Sequence, residues 1–138
     1  LGSNFIPEIQ AIDDLDNVLV SLRFASGLLA SIDVNRFASY GYDQRIEAFG
    51  EKGMLQSENR YPQSTVLSSE AGVSRPPIEF SFPSRYREAY QRELETFRKC
   101  VVEGIPLPIT YEDVRMSFVL SDLAECSYRE GRPMRVGS

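Results

Sequence analysis

The sequence predicts an α+β fold, an open and largely antiparallel sheet with helices packed on one face. Three observations predict it. Apolar residues alternate with polar ones in several short runs up to Pro83, glycine-bearing turns short enough for hairpins separate those runs, and two segments of helical period follow them. At 138 residues the chain fits one domain, residues 1–138. A domain of this size buries roughly two-thirds of its unfolded surface, so it requires no metal or disulfide for stability.

From Asn17 to Phe24, Val18, Val20, Leu22 and Phe24 share one face while Asn17, Leu19, Ser21 and Arg23 share the other. Ala25-Ser26-Gly27 is a three-residue connection with glycine at the left-handed position, and it leads into a second alternating run. There Leu28, Ala30, Ile32 and Val34 oppose Leu29, Ser31, Asp33 and Asn35. A third strand, Gln44 to Gly50, sets Ile46 and Ala48 against Arg45, Glu47 and Phe49.

The first faces of these strands are expected to sum to a core. The second faces mix apolar and charged residues, unlike a merely solvated surface, which makes Arg23, Leu29, Asp33, Arg45, Glu47 and Phe49 candidates for an interface.

Gly50 to Gly53 reads as a turn into a fourth strand, Met54 to Ser57. A fifth is expected at Thr65 to Ser68 and a last one from Ile78 to Pro83, with Asn59 to Gln63 and Glu70 to Pro77 as turn-rich connections. The stripe Tyr86, Tyr90, Leu94, Phe97 and Val101 predicts a helix from Arg85 to Glu103, capped by Ser84 and stopped by Gly104. Glu88 with Arg92, and Glu95 with Lys99, have the spacing of helical ion pairs. Thr110 with Asp113 predicts a capping box opening a second helix that ends at Gly131, and its wide apolar surface predicts cover on more than one side.

The 15 basic and 20 acidic residues are interspersed, giving a net charge of −5 and no basic face for nucleic acid or anionic lipid. No apolar run approaches the length of about 20 residues that spans a bilayer. With no signal-peptide pattern, the reading is a cytoplasmic protein. Cys100 and Cys126 lack metal or redox spacing and read as reduced thiols.

Histidine is absent, which removes the commonest general base and the usual Ser-His and Cys-His nucleophile pairs. Neither G-x-G-x-x-G nor G-x-x-x-x-G-K-[ST] occurs, so the chain alone is not expected to bind NAD or ATP in the usual way. The carboxylate groups Asp13-Asp14-Asp16 and Glu112-Asp113 read as loop charge and helix-dipole stabilisation, with no metal site expected.

Tyr40-Gly41-Tyr42 is the most suggestive group. Phenols hydrogen-bond sugar or polyol hydroxyls while their rings shape a pocket, and Gly41 lets the backbone turn between them. Packing of both tyrosines on the sheet edge is the competing reading. Arg36 and Arg45 flank the segment and are expected to pair with Asp33, Asp43 or Glu47.

The hairpin from Asp16 to Gly27, the run Tyr40-Gly41-Tyr42-Asp43-Gln44-Arg45-Ile46-Glu47-Ala48-Phe49-Gly50 and the ending Ser127-Tyr128-Arg129-Glu130-Gly131-Arg132-Pro133 together resemble the C-terminal domain of the Gfo/Idh/MocA oxidoreductases. Within that family the Tyr40 to Arg45 segment is most like the inositol 2-dehydrogenases. The resemblance implies a parent enzyme that moves hydride between NAD or NADP and a secondary alcohol carbon of a cyclic polyol or sugar. It places the cofactor and a catalytic lysine in an N-terminal Rossmann domain absent from this chain, and an aspartate and a histidine on a helix upstream of Leu1.

It also implies that Tyr40 and Tyr42 approach substrate, and that the open sheet face pairs subunits into homo-oligomers. Asn35-Arg36 stands where Ser-Arg is commoner in the family. The expected function is therefore that of a substrate-side and oligomerisation domain, not catalytic alone. A stand-alone binding or scaffolding module that kept the fold without the chemistry is the alternative.

Overall fold

The computed structural model describes residues 1–137 and is α+β, with helices and small antiparallel open sheets. Its strands fall into three sheets rather than one. The chain divides into two compact units: Leu1–Phe37 together with the segment from Ile105, and Ala38–Gly104. Among the described residues no helix is long and apolar enough to cross a membrane.

The first unit contains β1 (Gly2–Ser3), a short α1 (Pro7–Gln10), β2 (Asn17–Arg23), β3 (Leu29–Asn35) and α4 (Tyr111–Glu130). The expected hairpin forms, with Asn17 opposite Asn35 and Arg23 opposite Leu29. Gly27 turns it at φ +89, where its N–H donates to Phe24 O at 3.0 Å. Alternation in β2 becomes alternating burial: Val18, Val20 and Leu22 are half-buried while Leu19, Ser21 and Arg23 are exposed. β1, too short to carry a period, was not legible; it pairs antiparallel with β2 at Val18 and Asn17.

Asp16 ties this unit together. Only 2% exposed, its carboxylate accepts from Phe5 N at 3.0 and 2.9 Å and from Ile6 N at 2.7 Å, and its carbonyl accepts from Arg36 N at 2.7 Å. In α4 the expected capping box is present, Thr110 Oγ1 accepting from Asp113 N at 3.2 Å and Asp113 Oδ2 from Thr110 N at 2.8 Å. The helix ends at Gly131 in the left-handed region. Met116, Val119, Leu120, Leu123, Ala124 and Ser127 form a single half-buried row, while Phe118 and Tyr111 are exposed. Among the described residues, cover of α4 on a second side is therefore not found.

The second unit contains β4 (Ile46–Gly50) paired with β5 (Gly53–Ser57), β6 (Leu67–Ser69) paired with β7 (Gly72–Ser74), α2 (Phe82–Arg85) and α3 (Arg87–Glu103). β7 lies within the stretch expected to be a connection. The expected strand at Ile78 to Pro83 does not form. Its alternation is used differently: Ile78 is buried, Glu79 O accepts from Tyr42 N at 2.7 Å, and Pro83 enters the first turn of α2.

The expected single helix breaks at Tyr86 (φ −109, ψ 17), so Ser84 caps nothing and donates instead to Ser81 O at 3.0 Å. α3 stops at Gly104, φ +68, as expected. Glu88 pairs with Arg60 at 3.1 Å rather than with Arg92. Ile78, 8% exposed, is the one buried large apolar residue among the described residues, and Ile32, Val34 and Ile46 stay exposed. The expected core of summed strand faces is thus not sealed, because sheets of two or three short strands are too small to close over an apolar face alone.

Candidate functional site

Gly41 sets the geometry of the aromatic segment. It is buried at φ +134, a region that L side chains rarely adopt, and its N–H donates to Ala38 O at 3.2 Å. The turn sends its two neighbours to different surroundings. Tyr42 packs edge-on against Phe82 (centroids 6.4 Å) and Tyr86 (5.6 Å), and Tyr86 continues the row to Tyr90 (6.4 Å). Tyr40 remains 57% exposed.

Asp43 is the hub beneath Tyr40. Its Oδ2 accepts from the Tyr40 phenol at 2.5 Å and from Arg45 Nη2 at 2.9 Å; its Oδ1 accepts from Arg45 Nε at 2.9 Å and from Asn59 Nδ2 at 2.5 Å. Asn59 closes the loop by accepting from Gln44 N at 2.9 Å. The phenol's hydrogen bond, then those of Asn59 and Arg45, outweigh burial and hold the Asp43 carboxyl down at about 2. The same bond raises the Tyr40 phenol, since losing its proton would put two anions side by side. Tyr86 is raised mainly by burial, then by the neighbouring Tyr42.

Arg85 sits behind this cluster. Its Nη2 donates to Gln44 O at 3.4 Å, its guanidinium lies 5.7 Å from the Tyr86 ring centroid, and its buried Nε has no hydrogen-bond partner. The arrangement presents one exposed phenol, a row of packed rings and a neutralised carboxylate: a wall suited to a neutral, hydroxyl-bearing ligand.

The sequence profile of the GFO/IDH/MocA C-terminal domain matches residues 1–56. The myo-inositol 2-dehydrogenase of Thermotoga maritima is 41% identical over 129 residues, 94% of this chain and 39% of that protein. The chain belongs to the Gfo/Idh/MocA family, and what it carries is the C-terminal domain. A myo-inositol dehydrogenase from Corynebacterium glutamicum superposes with a TM-score of 0.94 at 36% identity, covering 99% of this chain and 42% of that one. The scyllo-inositol dehydrogenase of Lactobacillus casei, solved with NAD(H) and scyllo-inositol bound, gives 0.74 at 25% identity over 82% of this chain and 34% of that one. The chain thus spans about two-fifths of the length of the curated relatives it matches.

Of the residues singled out from sequence, Tyr40 and Arg45 meet at Asp43 in this Gfo/Idh/MocA segment, whereas Tyr42 joins the row of Phe82 and Tyr86. Arg45 pairs with Asp43 as expected, whereas Arg36 pairs with Asp14 at 2.5 Å rather than with Asp33, Asp43 or Glu47. Arg23, Leu29 and Asp33 lie on the exposed face of the β2–β3 hairpin, with Arg23 opposite Leu29 and Leu19 opposite Asp33. Glu47 and Phe49 are exposed on β4, opposite Gln56 and Met54, and Glu47 accepts from Gln56 Nε2 at 2.9 Å. Asn59, Ile78, Arg85 and Tyr86 were not legible as site residues. Asn59 sits in a stretch without period, and the other three followed from strand and helix readings that the structure replaces.

In the two carboxylate groups noted in the sequence, Asp14, Glu112 and Asp113 have local partners. Asp14 holds Arg36, Glu112 holds Arg115 at 2.6 Å and Asp113 completes the capping box. The Leu15 amide and then Arg36 lower the Asp14 carboxyl, Arg115 lowers that of Glu112, and Thr110 lowers that of Asp113. Nor do the residues present fit a dinucleotide: α3 follows directly from α2 without a glycine turn, and α4 opens on a carboxylate where a pyrophosphate would sit.

Proposed function

We propose that this chain forms the substrate-side and subunit-pairing domain of an inositol- or sugar-dehydrogenase-like oxidoreductase dependent on NAD or NADP, in the cytoplasm. The observation that carries the reading is the Tyr40-Gly41-Tyr42 wall: Gly41 is pinned against Ile78 and Glu79, so that Tyr42 anchors in the aromatic row and Tyr40 stays open. Tyr40 and Tyr42 line one side of a polyol pocket. In this reading the hydride chemistry and the cofactor belong to a separate Rossmann domain; a scyllo-inositol dehydrogenase similar to this chain, solved with NAD(H) bound, supports the choice of cofactor.

Subunit pairing runs through Arg23, Leu29, Asp33, Arg45, Glu47 and Phe49. Leu29 is 72% and Phe49 81% exposed, and apolar surface of that kind beside charges is suited to a second copy of the chain. The test combines turnover and mass. The purified chain with myo-inositol and NAD is expected to form no NADH, and sedimentation at rising concentration is expected to give a dimer or larger. NADH formation by the chain alone, or a monomer at every concentration, defeats the reading.

A further inference from the structure

We propose that Asp43 is a positioning residue that fixes Tyr40 as a hydrogen-bond acceptor, so that the wall selects ligand groups that donate, such as free alcohol hydroxyls. The ligand half of this inference rests on the polyol reading above; the Tyr40–Asp43 half does not.

The geometry supplies the argument. A carboxylate offers about four lone-pair sites, and Asp43 has all four occupied by Tyr40, Asn59 and the two Arg45 nitrogens. It has no capacity left to act as a base toward substrate. Tyr40 has one phenolic proton, and that proton points at Asp43 Oδ2. What its oxygen turns outward is lone-pair density, shared between the neighbouring Arg45 guanidinium and solvent. An ether or carbonyl oxygen placed there meets lone pair against lone pair, whereas a hydroxyl donates to it. Arg45 and Asn59 brace the carboxylate from the other side, and Asn59 also fixes the Gln44 backbone, so the acceptor that orients the phenol is itself held in place.

The chain has seven tyrosines and no tryptophan, so the phenols can be followed individually by NMR after 13Cζ labelling, with Tyr40→Phe assigning the Tyr40 signal. In the wild-type chain Tyr40 is expected to titrate above the ordinary phenol range, to return to that range in Asp43→Asn, and to stay raised in Asp43→Glu. Should Asp43→Asn fail to fold by circular dichroism, the reciprocal measurement serves. Labelled at 13Cγ, Asp43 is expected to titrate higher in Tyr40→Phe than in wild type. An ordinary Tyr40 titration in wild type, or an Asp43 carboxyl indifferent to Tyr40→Phe, overturns the assignment.

The ligand arm compares myo-inositol with its hexa-O-methyl ether. Movement of the Tyr40 signal by the first alone is expected, and equal movement by both overturns the acceptor role. If neither moves it while the titrations hold, the polyol reading fails and the Tyr40–Asp43 lock stands.

Discussion

Gly41 lies against Ile78 so closely that a Cβ added to the glycine would overlap Ile78 Cγ1 and stand 3.0 Å from Ile78 O and 3.1 Å from Glu79 O. The same residue holds φ +134. Two penalties therefore act together in Gly41→Ala, backbone strain and overpacking, and the variant is expected to lose about 3 kcal/mol of stability. Urea denaturation measures it. Ile78→Ala removes Cγ1 but leaves both carbonyl oxygens in place, so a double-mutant cycle is expected to recover only part of the loss. Full recovery would mean that neither the backbone conformation nor the two carbonyl oxygens carry a cost.

Asp16 gives a second, independent test in the other unit. Its buried carboxylate is the acceptor for the Phe5 and Ile6 amides, and Asp16→Ala takes that acceptor from both part-buried donors. A loss of about 3 kcal/mol is expected, with a smaller one for Asp16→Asn, which keeps one acceptor. Amide exchange at Phe5 and Ile6 should accelerate in step with the loss of stability. Unchanged exchange at both positions in Asp16→Ala would show that water or another group satisfies them.

These two nodes illustrate what the sequence could and could not convey. The β2–β3 hairpin, the Thr110–Asp113 capping box and the glycine stops at Gly104 and Gly131 were legible because each depends on neighbours a few residues away. Ile78 to Pro83 reads as a strand because its alternation fits one equally well, and only the approach of Gly41, far away in sequence, uses that stretch otherwise. Tyr40, Tyr42 and Asp43 were visible as a motif, but the Asn59 brace was not, since nothing in its own turn-rich stretch marks it as a partner.

The acid limb of stability carries the signature of Asp43. Its folded carboxyl is depressed from 3.8 to about 2, so between those values the unfolded chain binds the extra proton and folding is favoured as pH rises. The contribution is complete above about pH 4 and disappears as pH falls through about 2. Wild type and Asp43→Asn should therefore differ most near neutrality and converge near pH 2, read by denaturant unfolding across that range. Parallel curves from pH 5 to 2 would contradict the depressed carboxyl.

Self-association offers the sharpest separation between fold and assembly. Leu29 and Phe49 are exposed in their strands, so replacing them removes little intramolecular packing. In the hairpin register Leu29 stands opposite Arg23, so the carboxylate of Leu29→Asp meets an opposite charge across the strands and the hairpin is retained. In an interface between copies, each of Leu29→Asp and Phe49→Asp would strand a charge in the apolar centre of the contact, weakening association by about tenfold or more. Sedimentation velocity should then move toward monomer while circular dichroism stays unchanged. Wild-type association in both variants would remove these two strands from the assembly and leave pairing to the exposed α3 row of Tyr90, Leu94, Phe97 and Val101.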